Sequence, residues 1–402
     1  MRTSRVRTLV SQIVVLMLVG WLAPSAMAWS PMGHKVVCRT AFHLIDTATT
    51  LPYLVGLFNI NTDDNPNEAS KVRRLGDEVN CIWADTDSAG LSGEHYMNVP
   101  RNWPALTEDM LDSDKCPTSE KCWYQGIVDK IGGWKAASMF GKAKRKKIRR
   151  KLVKYVGHYF ADMSQPMHLG YKNDRGGNDV KIGGTRVRGT VWIDEETIFH
   201  CDHNLHDFWD TCLVLMTYHT KVDSTGKYFA HFKKLSGDTT EADKLANWAS
   251  KWATDIVNRG YGGAGGDASE LVTDSNDFSN SKRGAIVKWL DQSYQIVRSA
   301  NTGYCGNRDL LPLRHYDSKP GFCVPLQCTS PYMDGGNGDV FYPDDSISLN
   351  SDDNKCGGAG KNYRLKYDYA RLNQPVAEQQ LKRASYRLKL ILDWMAQYAN
   401  SL

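Results

Sequence analysis

Five stretches of this chain place apolar residues at three-to-four spacing, and that periodicity constrains the fold more than any other feature. They are Lys151 to Ala161, Leu205 to Met216, Glu241 to Asn258, Lys282 to Ala300 and Val376 to Ala399. Such spacing gathers apolar side chains on one helix face, which must then be buried against a partner. One stretch differs. Asp179 to Phe199 alternates and is rich in Val, Ile and Thr around Gly183-Gly184, the pattern of a small β-hairpin. Residues 302–361 are rich in Gly, Asp, Pro and Ser and hold four cysteines, which reads as a disulfide-pinned loop insertion. The pattern predicts a mainly α fold: one large helical domain over 29–402 with a hairpin excursion and that insertion.

Residues 1–28 stand apart from the fold. Arg2, Arg5 and Arg7 precede an apolar run, Ile13 to Leu22, and Ser25-Ala26-Met27-Ala28 supplies the small residues of a cleavage site. The run is shorter than the roughly 18 apolar residues of a membrane span, and no later stretch reaches that length. The expectation is a signal peptide, a secreted or periplasmic mature chain beginning at Trp29, and no transmembrane segment. All 10 cysteines follow the leader, an even number, as a disulfide-bonded exported protein would have. No C-x-x-C pair occurs, which argues against cysteine-ligated zinc. Cys116 with Cys122 and Cys323 with Cys328 could close short loops, but spacing leaves the connectivity open.

The formal net charge is +5, of which the leader arginines supply three, leaving about +2 for the mature chain. That excludes an all-over polyanion clamp. The exception is local: Lys142 to Lys151 is a strongly basic run just before an apolar helix. It could grip phosphates or lipid headgroups, but the preferred reading is the solvated opening of that helix.

The chemistry-bearing residues are histidines and aspartates. His158 and Asp162 are four apart, as are His206 and Asp210, so each pair shares a helix face one turn apart, within reach of a single ion. His168 follows Gln165-Pro166, where the proline should end or kink the helix. Asp85 and His95 add a carboxylate and an imidazole, and His34 lies five residues after Trp29. Cleavage before Trp29 would expose an α-amine, whose pKa of about 7.7–8.0 lets it yield its proton to a metal.

Taken together, Trp29, His34, Trp83-Ala84-Asp85, His95-Tyr-Met-Asn98, His158-x3-Asp162-x5-His168 and Asn204-Leu-His206-x3-Asp210 resemble the S1/P1 nucleases, a family of secreted zinc nucleases. Asp162-Met-Ser-Gln-Pro-Met-His168 and Asp174-Arg-Gly-Gly-Asn178 look like its bacterial branch, and Tyr386-Arg-Leu-Lys-Leu390 resembles its C-terminal helix. The resemblance implies three Zn²⁺ ions: one held by Asp85, His95, His158 and Asp162; a second by the Trp29 terminus, His34 and Asp162; a third by His168, His206 and Asp210. It makes Asp85 and Asp162 catalytic and implies hydrolysis of single-stranded DNA or RNA to 5′-nucleotides by zinc-bound hydroxide, with 3′-nucleotide monoesters as further substrates. Tyr96 and Asn98 resemble base-binding positions. Ser88 stands where relatives often carry a basic residue, and Arg175 or Lys172 is a candidate to replace that cation at the substrate.

Two other functions fit part of the pattern. A zinc phospholipase C acting on phosphatidylcholine shares the N-terminal Trp and the H-x3-D-x5-H segment. Those enzymes tend to have Glu in the last position of the final motif, so Asp210 and its Asn-Leu-His context favour the nuclease. An exported binding protein with structural zinc would need a closed ligand set, whereas imidazole and carboxylate without thiolate suit an open, catalytic one.

Overall fold

A computed structural model describes residues 29, 31–61, 67–86, 92–100, 103–111, 122–172, 175–178, 204–214, 241–260, 268–299 and 367–402, with isolated short stretches between them. The described residues are mostly helical. Helix α1 spans Pro31–Leu44, α2 Thr50–Phe58, α3 Glu68–Val79, α4 Trp83–Thr86 and α5 Trp123–Ala136. The long α6, Lys142–Ser164, is followed by a 3-10 turn, Pro166–Leu169. A short α7, Leu205–Asp207, runs directly into a π turn, Phe208–Cys212. Helices α8 Glu241–Arg259, α9 Ala268–Asn280, α10 Lys282–Arg298 and α11 Tyr367–Asn400 complete the order.

Helix α1 is the hub. It packs on α8, α11, α3 and α6, and nearly every side chain from Met32 to Phe42 is buried. A helix buried on nearly every side belongs inside a bundle rather than on its surface. Helix α6 crosses the same core and touches α5, α10 and α11, with Val153, Val156, Phe160 and Ala161 buried. Six fully buried tryptophans (Trp29, Trp123, Trp134, Trp209, Trp252 and Trp289) dominate the packing. Several are tied by their indole N–H: Trp134 donates to the Met395 carbonyl at 3.0 Å and Trp289 to Asp274 at 2.7 Å.

The basic run is divided by the fold. Lys146 reaches the Asn59 side chain, Arg150 donates to the Leu57 carbonyl at 2.5 Å, and Arg149 donates to Tyr53 and Ser138. Leu57 and Asn59 end α2, where carbonyls lack helical partners and the dipole is negative, so these cations cap it.

The predicted helices Glu241–Asn258 and Lys282–Ala300 correspond to α8 and α10 within two residues. Lys151–Ala161 extends backwards to Lys142, and Val376–Ala399 extends through Pro375 to Tyr367. The predicted continuous helix Leu205–Met216 is interrupted by the π turn. Arg186–Val187 pairs antiparallel with Phe199–His200, while the rest of the predicted 179–199 hairpin lies outside the described residues. So does the 302–361 insertion, apart from residues 302 and 313–314, the latter pairing with Arg364–Leu365. Cys38 and Cys81 form a disulfide, and Cys122 and Cys212 are each disulfide-bonded too. Cys116, Cys323 and Cys328 lie outside the described residues. No helix among the described residues is long and apolar enough to cross a membrane.

Candidate metal centre

Helix α6 supplies the centre's axis. One turn separates His158 from Asp162, and both are fully buried where α6 meets α1 and α4. Helix α1 brings His34, whose ring stacks on that of His158 at 4.0 Å with an interplanar angle of 4°. Helix α4 brings Asp85, and the 3-10 turn Ser92–His95 brings His95.

Asp162 sits between two groups. Its Oδ1 faces His34 Nε2 at 3.4 Å, and its Oδ2 faces His95 Nδ1 and His158 Nε2 at 3.2 Å each. Asp85 Oδ1 closes the second group at 3.2 Å from His158 Nε2 and 3.6 Å from His95 Nδ1. A third group forms where α6 ends: His168 Nε2 lies 3.9 Å from Asp210 Oδ1, and His206 Nε2 lies 3.3 Å from Asp210 Oδ2. Within each of the sets His34/His158/Asp162, Asp85/His95/His158 and His168/His206/Asp210, one ligand atom per residue lies within 4.8 Å of the others.

The rings are held by carbonyls. His158 Nδ1 lies 2.7 Å from the Cys81 carbonyl, His168 Nδ1 2.6 Å from that of His95, and His206 Nδ1 2.8 Å from that of Gly176. A carbonyl can only accept, so each Nδ1 carries a proton and each Nε2 turns toward the group. Each carbonyl is itself fixed. Cys81 is tied to α1 by its disulfide, and Gly157, just before His158, makes room for it: a Cβ there would fall 2.7 Å from Cys81 Sγ. Backbone bonds from Met97 to His168 and from Val99 to Gly170 lock the two histidine segments side by side. Gly176 has φ +66°, and a Cβ there would lie 2.3 Å from the Met167 carbonyl, so the turn that offers its oxygen to His206 needs glycine.

Among the described residues, His34 Nδ1 and Nε2, both Asp162 oxygens, Asp85 Oδ2, His168 Nε2 and His206 Nε2 have no hydrogen-bond donor or acceptor. Acceptor atoms that converge in a buried space repel one another unless a cation lies between them, so the residues present fit metal ions. The protons that substitute for cations follow the charge. Burial works against a charged His158, yet Asp162 and Asp85 outweigh it and raise its pKa to about 10. Burial and the neighbouring His158 push His34 down to about 3. Burial and His168 lower His206 to about 3. Burial also holds Asp210 well above the usual carboxylate range, with Asp207, Asp162 and Asp85 adding to it.

Two residues that sequence reasoning passed over support the ligands. Gln165 donates to Asp210 Oδ1 at 2.6 Å and accepts from the Met167 N–H, so it aims Asp210 and sets the turn that carries His168. Glu94, buried beside His95, accepts from the Lys130 ammonium at 2.6 Å and the Tyr159 hydroxyl at 2.7 Å. The only sequence signal for either was its place next to a motif residue. Trp29 is fully buried and donates through its indole to Ser164, two residues beyond Asp162, at 3.1 Å. Tyr96 and Asn98 are half-buried beside His95, and Arg175 and Lys172 are exposed, with Arg175 at φ +52°. Ser88 lies outside the described residues.

Comparisons with known proteins point to one family. Endonuclease 2 of Arabidopsis thaliana is 20% identical over 244 residues, covering 59% of this chain and 74% of the relative. Endonuclease 3 of the same plant is 22% identical over 250 residues, covering 59% and 72%. The S1/P1 nuclease family profile matches residues 29–317, from the buried Trp29 through every histidine and aspartate of the three groups. This chain, with its clustered imidazoles and carboxylates, belongs to the S1/P1 nuclease family and is a hydrolytic nuclease.

Proposed function

We propose that the protein is an exported nuclease that cleaves single-stranded DNA or RNA to 5′-nucleotides, and 3′-nucleotide monoesters in addition, at a centre of three zinc ions. The observation that carries this reading is Asp162, whose one oxygen faces His34 and whose other faces His95 and His158, with a third group held where the same helix ends. Asp85, His95, His158 and Asp162 would hold one ion; His34, Asp162 and the amine and carbonyl of a terminal Trp29 a second; His168, His206 and Asp210 the third. Zinc supplies charge that neutralises a phosphodiester and lowers the pKa of water.

The chain's own residues do the rest. The Cys81, His95 and Gly176 carbonyls keep three imidazoles in the ligating tautomer, so no ring must turn during reaction. Asp162 presents one oxygen to each side and fixes the spacing of the paired sites. Tyr96 and Asn98, half-buried beside His95, would stack and hydrogen-bond one base, which a base already paired in a duplex cannot do without unpairing. Arg175 and Lys172, both exposed, would be the cations that meet the substrate phosphate in place of a basic residue at Ser88.

A panel of single-stranded DNA, single-stranded RNA, 3′-AMP and phosphatidylcholine tests the assignment. The expected result is mononucleotides bearing 5′-phosphate from both single strands, with duplex cut more slowly. Hydrolysis of phosphatidylcholine without nucleotide release would overturn it. So would a zinc-loaded protein that hydrolyses nothing and merely unfolds when zinc is removed.

A further inference from the structure

The basic run that opens α6 continues into the metal centre along a single stripe. At about 100° per residue, Lys144, Lys147, Lys151 and Lys154 fall within about 40° of the direction of His158, on the same helical face. Asp162 lies on that face as well. With a rise of about 1.5 Å per residue, the four lysines stand about 6 to 21 Å along the axis from His158. The stripe is exposed at Lys144, Lys147 and Lys151, half-buried at Lys154, and fully buried at His158 and Asp162.

Three other cations of the run point elsewhere and are used by the fold. Lys146, Arg149 and Arg150 bind the α2 end, Tyr53 and Ser138. Among the described residues, Lys144, Lys147 and Lys154 take part in no ion pair. Lys144 does not serve the helix dipole either, since a cation in the first turn opposes it.

An aromatic ring links the stripe to the centre. Trp83, two residues before Asp85 and only partly buried, lies beneath the Lys151 and Lys154 ammonium groups at 5.5 and 5.4 Å. Its ring meets Tyr155 edge-on at 5.4 Å, Tyr155 lies 5.6 Å from Tyr159, and Tyr159 lies 5.5 Å from His95. Cations spaced along a line with an aromatic face beside them match a single-stranded nucleic acid, whose phosphates and bases alternate along the chain.

We infer that this stripe is a track for the strand flanking the scissile phosphate, with Lys154, Lys151, Lys147 and Lys144 pairing successive phosphates beside the Trp83 ring. The inference rests on the nuclease reading and adds where a long substrate lies. Short substrates end before the track, so it serves long strands alone.

The test replaces all four lysines with Gln and compares the variant with wild type and with Lys142→Gln, on the opposite face of the same turn. Binding of a long phosphorothioate oligothymidylate is measured by anisotropy against salt. Single-strand contacts contribute a slope of roughly 0.7 per neutralised phosphate, so the quadruple variant should lose a slope of about 3. Lys142→Gln should lose none. The ratio of kcat/KM on a long strand to that on a dinucleotide should fall about tenfold or more, through KM. An unaltered salt slope and ratio in a folded quadruple variant would overturn the track while leaving nucleotide release, and so the nuclease reading, intact. A wild type that binds the oligomer with this slope yet releases no nucleotides would keep the track and overturn the nuclease reading. A wild type that neither binds nor cuts overturns both.

Discussion

Removing Glu94 should unsettle the centre from outside its ligand set. The carboxylate is 2% exposed and holds two partners, the Lys130 ammonium at 2.6 Å and the Tyr159 hydroxyl at 2.7 Å. Burial and the adjacent Glu94 charge both raise the Tyr159 pKa, so that hydroxyl keeps its proton and stays a donor. Glu94→Ala strands both donors. Breaking a buried ion pair from one side costs about 3–5 kcal/mol. Orphaning a buried hydroxyl costs about 1–3 kcal/mol. The three groups form one network, so the terms do not add. Lys130 also keeps its place over the Tyr155 and Tyr159 rings, at 4.8 and 5.6 Å, which offsets part of the loss. The expected destabilisation is therefore about 3–5 kcal/mol, and Glu94→Gln, which keeps an acceptor for Tyr159, should lose less. Because His95 follows Glu94 and packs edge-on against Tyr159 at 5.5 Å, the alanine variant should also bind the ion at Asp85, His95 and His158 about 10–100-fold more weakly. Urea unfolding at fixed free zinc measures the first effect, and competition with a chelator measures the second. An alanine variant within about 0.5 kcal/mol of wild type would refute the reasoning, since surface substitutions alone fall in that range.

Other outcomes follow from single contacts. Gly157→Ala puts a methyl 2.7 Å from Cys81 Sγ and should cost about 1–3 kcal/mol by overpacking, read by thermal unfolding; an unshifted Tm would contradict the tight approach. Loading zinc at pH 7 should release at least one proton, because Asp162 and Asp85 outweigh burial and keep His158 charged until about pH 10, whereas ligation needs the neutral ring. Calorimetry in two buffers of different ionisation heat counts that proton, affinity should climb as pH rises toward 10, and zero release refutes the charge state. Tyr96→Ala should lose about 1–3 kcal/mol of binding to single strands but little on bis-p-nitrophenyl phosphate; equal losses on both would remove the base-stacking role.

How much of this was legible in the sequence depended on how local the signal was. His158/Asp162 and His206/Asp210 could be paired from spacing alone, because four residues make about one helical turn and both partners sit on one element. Asp85 and His95 lie on a four-residue helix and a 3-10 turn too short for periodicity, so only resemblance connected them to the others. Helix α1 escaped the periodicity reading for a physical reason: His34, Arg39 and Thr40 are buried along with its apolar side chains, so burial does not follow an apolar stripe. The π turn at Phe208–Cys212 was equally hidden, since it widens one turn without changing composition, yet Asp210 lies within it. Gln165 and Glu94 carry no motif of their own, and their roles exist only once residues far apart in the chain have met. The basic run was readable as a helix opening, but its division into capping cations and an outward stripe needed α2 in place.

Metal counting on three proteins tests the centre most directly. Wild-type protein starting at Trp29, purified without added chelator, should carry three zinc ions per chain by elemental mass spectrometry. Asp162 faces His34 with one oxygen and His95 and His158 with the other, so Asp162→Asn should lose both paired ions. Among the described histidines, Asp210 meets His168 and His206 alone, so Asp210→Asn should lose one ion and keep the pair. Equal single-ion losses in the two variants, or a wild type carrying one ion or none, would contradict a centre built around a shared Asp162.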